Sequence, residues 1–587
     1  MAASETEIPL TVVSEDPMEA SDKEVQTEVS EAREDSVILR PKQDLTTMSN
    51  PSLEEVTEAS EMTAALETIT AGSIIQTAAA GSDPVAEALA AEAAAVDSDP
   101  AAVEAAASEV ADNTINNYLK IMLKKSLAIM SISAAFFAQA QDVSVIRNTV
   151  DVYSNAQNIG SSKFNGMAGS NGALGGDANA LLTNPAGLGV AISGEISGTL
   201  SLMGNKNTSS YAGSSYSYNI NKGDIGNIGA VMTFQLMTES AWKFINIGVN
   251  YSNQSIENYI ETPGNSMLNT IEGPDNDYAL GRHAYDRYGY ISKTSFGVGA
   301  NYNNNLYIGA GLNFLNTSID QSDTSTLISG ANGTADNFSK QNTPFSERGN
   351  GFSASLGVIG KLNQNFRIGA ALETPTFWNI DRGYSFYNDA IYGDDYGGES
   401  RKLSSPLKAT VSAAFIASKS FSLNVDYTRG LTKPTYKVYG AAESVLNDFF
   451  KDDYKNLSEL KVGAEYRIKQ FRLRGGYSYA SSPFDALNID RYNNNGGIEA
   501  QSYNNLILGN RNTASLGIGY DFRSFYIDAS YQNITSKYSN PFLRGLIDDN
   551  FEDGYYSFDN MVRSNAYAVS DVKNIRNNFF LTFGWKF

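Results

Sequence analysis

The stretch Phe421-Ser-Leu-Asn-Val-Asp-Tyr427 repeats every two residues: Phe421, Leu423, Val425 and Tyr427 fall on one face, and Ser422, Asn424 and Asp426 on the other. That is the period of a β-strand whose two sides meet different surroundings. Leu407-Lys-Ala-Thr-Val-Ser-Ala413 and Leu460-Lys-Val-Gly-Ala-Glu-Tyr466 follow the same rule. In each, one face asks for an apolar environment and the other tolerates charge.

Working outward, fourteen such stretches can be placed between Ala191–Met203 and Arg576–Phe587. Their connections alternate long and short. Tight turns such as Asn303-Asn304-Asn305, Asn363-Gln364-Asn365 and Lys469-Gln470 join hairpins at one end, and all the long connections gather at the other. An even strand number with sorted loop lengths is the signature of a transmembrane barrel. The bilayer explains why such a sheet must close, since a free edge in hydrocarbon leaves amides unpaired at several kcal/mol each. The expected fold is all-β: a 14-stranded antiparallel transmembrane β-barrel over residues 191–587.

The last stretch, Phe579-Phe-Leu-Thr-Phe-Gly-Trp-Lys-Phe587, puts Phe579, Leu581, Phe583, Trp585 and Phe587 on one face. Phe583, Trp585 and the terminal Phe587 look like the signal read by the outer-membrane barrel-assembly machinery, and an aromatic belt at the interface is the plainer reading. Composition agrees with a large sheet: Tyr 33, Phe 28 and Gly 50, with Cys 0 and His 1, so disulfides and thiolate metal sites are excluded. The formal charge of -22 misleads, because nearly all of it lies in residues 1–117. The rest is close to neutral, so no nucleic-acid surface is expected.

Residues 1–117 contain no Phe, Tyr or Trp and many Ala and acidic residues, which predicts a disordered extension. Residues 118–140 read as a signal peptide: Lys120, Lys124 and Lys125 precede the apolar run Ser126–Phe137, and Ala138-Gln139-Ala140 offers a cleavage site. The run is shorter than the roughly 20 residues a spanning helix needs. A signal in mid-chain implies that Met122 is the working start, that the extension is a gene-model or fusion artefact, and that the mature chain starts at Gln141.

Between signal and barrel lies Phe164-Asn-Gly-Met-Ala-Gly-Ser-Asn-Gly-Ala-Leu-Gly-Gly-Asp-Ala-Asn-Ala-Leu-Leu-Thr-Asn-Pro-Ala-Gly-Leu-Gly-Val190, small and glycine-rich with no sustained period. A compact segment there reads as a plug within the barrel, giving a lumenal hatch over 141–190. Its pattern, with Asp177 before Asn184-Pro185-Ala186, resembles the hatch of the FadL/OmpP1/TodX family of outer-membrane transporters. The proline fixes a rigid turn. The resemblance implies passive uptake of hydrophobic or amphipathic small molecules such as long-chain fatty acids, and a lateral opening at a bend in the third strand. Within Ile245–Tyr251, Gly248 is the position able to bend, and a small residue seated against the hatch is the equal alternative. The same family includes an outer-membrane component of a type IX-like secretion system, which is the second reading, with a haem receptor-like role as an alternative beside it, and an enzyme is the third.

Alternation sends Lys408, Asp426, Lys461, Glu465, Arg467, Arg472 and Arg474 to the lumen on four consecutive strands. They form either a paired network that anchors the plug or a carboxylate-binding surface. No catalytic set is expected: His283, the single histidine, sits in Gly281–Tyr290 and reads as a surface loop residue. No cofactor or metal is implied. The expected partners are outer-membrane lipid and lipopolysaccharide, a hydrophobic ligand taken up by Tyr- and Asn-rich loops such as Tyr387–Tyr396, and the assembly machinery.

Overall fold

A computed structural model describes residues 142–587, apart from 238, 269–270, 272–276, 389, 441, 545–553 and 558–559. The acidic extension and the signal segment lie outside the described residues. Fourteen antiparallel strands form the wall: β1 Glu195–Tyr211, β2 Ser214–Gln235, β3 Trp242–Ser255, β4 Tyr278–Tyr302, β5 Leu306–Ser329, β6 Phe345–Lys361 and β7 Phe366–Glu373. Then come β8 Lys408–Ser418, β9 Phe421–Gly430, β10 Ser458–Ile468, β11 Phe471–Ala480, β12 Arg511–Asp521, β13 Phe525–Phe542 and β14 Ala568–Lys586.

The sheet closes where β1 pairs with β14 from Glu195↔Lys586 to Ser210↔Asp571. The seam is finished by two backbone bonds between Gly194 and the terminal Phe587, at 2.9 and 3.1 Å. No strand edge is left open around the lower wall. The two faces are inverted relative to a soluble protein. Outward positions such as Leu202, Met232, Ile247, Leu356, Leu516 and Phe579 are exposed, while inward Thr199, Asn227, Asn246, Ser295, Asn313 and Thr582 are buried. A bilayer is the solvent that makes this distribution favourable.

The short turns fall as the pattern requires. Asn303 and Asn304 take φ of 50° and 56°, and Lys469 takes 54°. Asn reaches that left-handed region at little cost because its side chain bonds locally. At the other end, much of what reads as long loop is strand. A two-residue turn, Ala212-Gly213, joins β1 to β2, and β4, β5 and β13 run far past the bilayer as 25, 24 and 18 residues. Their upper halves escape the alternation test because, above the lipid, outward positions become Ser, Thr and Asp, and the contrast between faces fades.

β7 and β8 break together at Pro375 and Pro406. The continuing segments Phe377–Asn388 and Gly393–Ser404 pair with each other, so the wall bends without opening. Thr376 and Ser405 supply the bonds that the prolines cannot. Inside, helix α1 (Asp142–Asn148) and a π-turn (Thr149–Ser154) fill the outer half of the lumen. Val150, Val152 and Tyr153 pack there against Trp378, Tyr436 and Phe450, the last on a helix over Ala442–Asp452. The chain then descends through α2 (Ser162–Gly166) and two 3-10 turns, Ala178–Leu182 and Pro185–Val190, to β1.

Candidate functional site: hatch, lumen and a break in the wall

The hatch is seated by absences. A Cβ built on Gly248 would lie 2.6 Å from Leu188, on Gly297 2.3 Å from Leu181, on Gly309 2.4 Å from the Pro185 carbonyl carbon, and on Gly357 1.9 Å from Asn184. Gly369, Gly463 and Gly476 meet Gly172 and Met167 at 2.8, 2.7 and 2.3 Å. From β2 to β7 and again from β10 to β12, an inward glycine lets the plug press directly against the wall, with side chains at Gly248, Gly297 and Gly357 and with its backbone at Gly309, Gly369, Gly463 and Gly476. β8, β9, β13 and β14 use polar side chains instead. Asp426 accepts from the backbone N–H of Asn171 (2.9 Å) and Gly172 (3.1 Å), and Asn424 accepts from that of Ala173 (3.2 Å). Gln532 donates to the Asn165 carbonyl at 2.8 Å, and Ser162 N–H donates to Thr582 at 2.7 Å.

Within the plug, Asp177 caps the first 3-10 turn by accepting from Asn179 N–H at 3.0 Å, and Lys163 pairs with it at 2.7 Å. Asn184 caps the second. Its Oδ1 accepts from Ala186 N–H at 3.1 Å, and its Nδ2 donates to the carbonyls of Gly172 (2.8 Å) and Val358 (3.2 Å). Pro185 takes the first helical position, where its missing N–H costs nothing, and Ala186 is fully enclosed.

All seven lumen charges point inward, and each has a partner. Lys461 pairs with Glu459 (2.9 Å), Glu465 with Arg474 (2.7 Å), and Arg474 also with Asp528 (3.0 Å). Arg467 (2.8 Å) and Arg472 share Asp521 near the short turns. Lys408 donates to the Ser154 carbonyl at 2.5 Å, and Asp426 holds the plug. Sequence reading missed Glu459, Asp521 and Asp528, which complete the pairs from the same inward faces. A polar cavity of about 100 Å³ lies between plug and wall, bordered by Lys408, Asp426, Glu459, Lys461 and Arg511.

The third strand does not bend at Gly248, where its pairing with β2 and β4 is unbroken. Gly248 instead makes room for Leu188. The strand breaks further on, at Ile256-Glu257, and resumes as Asn258–Asn265, which pairs with β4 alone. This second segment turns into the lumen, across the inner face of β1. Asn205 donates to the Glu257 carbonyl and Asn207 to that of Tyr259, both at 2.7 Å, and Ser209 bonds Thr262 at 2.8 Å. β2 therefore loses its second neighbour above Asn227 and continues to Ser214 paired only with β1. Behind the gap lies a small cavity of about 30 Å³ bordered by Ile220, Lys222, Glu257, Gln157, Arg576 and Asn578.

His283 is not on a surface loop. It lies inside β4, 1% exposed, stacked on Phe542 at 4.2 Å and bonded through Nε2 to Asp323 at 2.8 Å. Tyr555 donates to the same carboxylate oxygen at 2.7 Å. The alternation that buries Tyr285 and Arg287 buries His283 too, once the strand is known to extend that far.

No family model matches the chain, and no curated protein matches it. Among solved structures it is similar to a FadL homologue of Pseudomonas aeruginosa, at 14% identity over 74% of this chain and 99% of that one, with a TM-score of 0.48. The toluene transporter TodX of P. putida aligns at 14% identity over 74% and 99%, with a TM-score of 0.46. The monoaromatic hydrocarbon channel CymD aligns at 14% over 73% and 97%, with a TM-score of 0.41.

Proposed function

We propose that the protein is an outer-membrane transporter for passive uptake of hydrophobic or amphipathic small molecules, long-chain fatty acids among them. The observation that carries this reading is the combination of a plugged lumen with a wall whose backbone ladder is interrupted at one place. A plugged barrel is closed to bulk water, so a porin role is disfavoured. The inward turn of the third strand at Ile256-Glu257 leaves a gap in the ladder beside Ser214–Gly226 of β2, with a small cavity behind it. A molecule dissolved in or adsorbed to the membrane reaches the lumen there without crossing the plug first. The cavities carry both charge signs and hydroxyls, which suits an amphipathic ligand better than a pure hydrocarbon. No catalytic step is needed.

The test pairs two measurements. Single-channel conductance in planar bilayers is expected to be quiet for the intact chain and porin-like once Phe164–Val190 is deleted. Uptake of a labelled long-chain fatty acid by cells expressing the intact chain is expected to exceed that of cells lacking it. An intact chain that conducts like an open porin, or that gives no uptake of any lipophile, would refute the proposal.

A further inference from the structure

Resting on the reading that ligand crosses the wall at this gap, we infer that Lys222 and Glu257 form a latch that holds it shut. Among the described residues no backbone hydrogen bond joins β2 to the third strand above Asn227. Three side-chain contacts span the gap instead. Lys222 Nζ donates to Glu257 Oε1 at 2.7 Å, Asn253 Nδ2 donates to Asp224 Oδ2 at 2.9 Å, and the rings of Tyr218 and Tyr259 sit 4.5 Å apart.

The ion pair is the strongest of the three. The Glu257 side chain is 8% exposed and that of Lys222 24%, so salt and water screen the pair far less than an open surface bridge. The ammonium also lies 4.8 Å from the centre of the Tyr288 ring, which reinforces its position. The two halves are anchored differently. Asn205 fixes the backbone of Glu257 from the lumen side. Lys222 sits on the part of β2 that is paired on one edge only, so it is the half that moves. A seam closed by side chains opens without breaking any ladder bond, unlike every other junction in the wall. Lys222 and Glu257 both border the cavity behind it, so parting them joins that cavity to the outside.

The chain contains Cys 0, so introduced cysteines report without background. A reporter, Asn578→Cys, borders the cavity and is labelled in proteoliposomes with a bilayer-soluble pyrene maleimide. With Lys222→Met or Glu257→Gln added, labelling is expected to run about tenfold faster than in the reporter alone. Heat-modifiable migration verifies that each barrel is folded, and either variant suffices. Unchanged labelling in a folded variant overturns the latch. In a separate protein, Lys222→Cys with Glu257→Cys is bridged by a reversible bis-methanethiosulfonate. Fatty-acid uptake is expected to stop on bridging and to return on reduction. Uptake that persists through the bridge refutes passage at this gap, while the labelling arm still decides the latch.

Discussion

Replacing Asp426 by Ala tests whether the plug is held by hydrogen bonds aimed at its backbone. The carboxylate is 1% exposed and accepts from the N–H groups of Asn171 and Gly172 and from Asn424 Nδ2 at 2.7 Å. Alanine strips two backbone donors of their acceptor inside a wall that offers no replacement. An orphaned buried donor costs about 1–3 kcal/mol, so the seat is weakened by about 2–6 kcal/mol. Each 1.4 kcal/mol is a factor of ten, so the unseated population rises by about 30-fold at the low end of that range. The barrel itself keeps its ladders, because the β8–β9 and β9–β10 pairings use the backbone of Asp426 and not its side chain. The assay is planar-bilayer recording of opening events, with amide exchange of residues 165–176 alongside. Asp426→Asn keeps an acceptor oxygen and is expected to fall between wild type and Ala. Wild-type quiet intervals together with wild-type exchange in Asp426→Ala would refute the idea that this contact seats the plug.

Gly309→Leu is expected to dislodge the Pro185 turn, because its Cβ alone would sit 2.4 Å from a backbone carbon, whereas Gly360→Leu, whose Cβ meets nothing within 4 Å, leaves the channel quiet. Equal conductance in the two variants would count against the glycine seat. Replacing Phe583, Trp585 and Phe587 with Ser is expected to block assembly, scored as lost heat-modifiable migration; normal migration would remove any assembly role from these aromatics. His283→Ala is expected to keep uptake while raising amide exchange in residues 278–290, since it removes one partner of a buried carboxylate, an effect on the order of 1–3 kcal/mol. Lost uptake with wild-type exchange would give His283 a direct part in transport.

The sequence by itself determined the sheet, its strand number and its environment. A two-residue period with aromatic and aliphatic residues on one face is a local property of Phe421–Tyr427 or Phe579–Phe587, and lipid on one side is enough to enforce it. Closure followed from the cost of free amides, and the plug from a glycine-rich stretch placed where no strand could form. Even the partners of the lumen charges were half legible, because alternation fixes which side a residue faces but not which neighbour stands opposite.

What the tertiary structure alone decided is where two surfaces meet. Alternation sends Gly309 and Gly357 to the lumen and Gly198 and Gly360 to the lipid face, but nothing local says that the plug will come to rest on the first pair; only the docked plug makes them indispensable, while the second pair has open space beside it. The break in the third strand carries no proline or glycine at Ile256-Glu257. It arises because Asn205 and Asn207, some fifty residues away in the chain, take the carbonyls of Glu257 and Tyr259 that a wall neighbour would otherwise have bonded. His283 was misread for the same reason. Whether a polar segment is loop or strand above the membrane depends on long-range pairing with Asp323 and its neighbours, and no local period records that pairing.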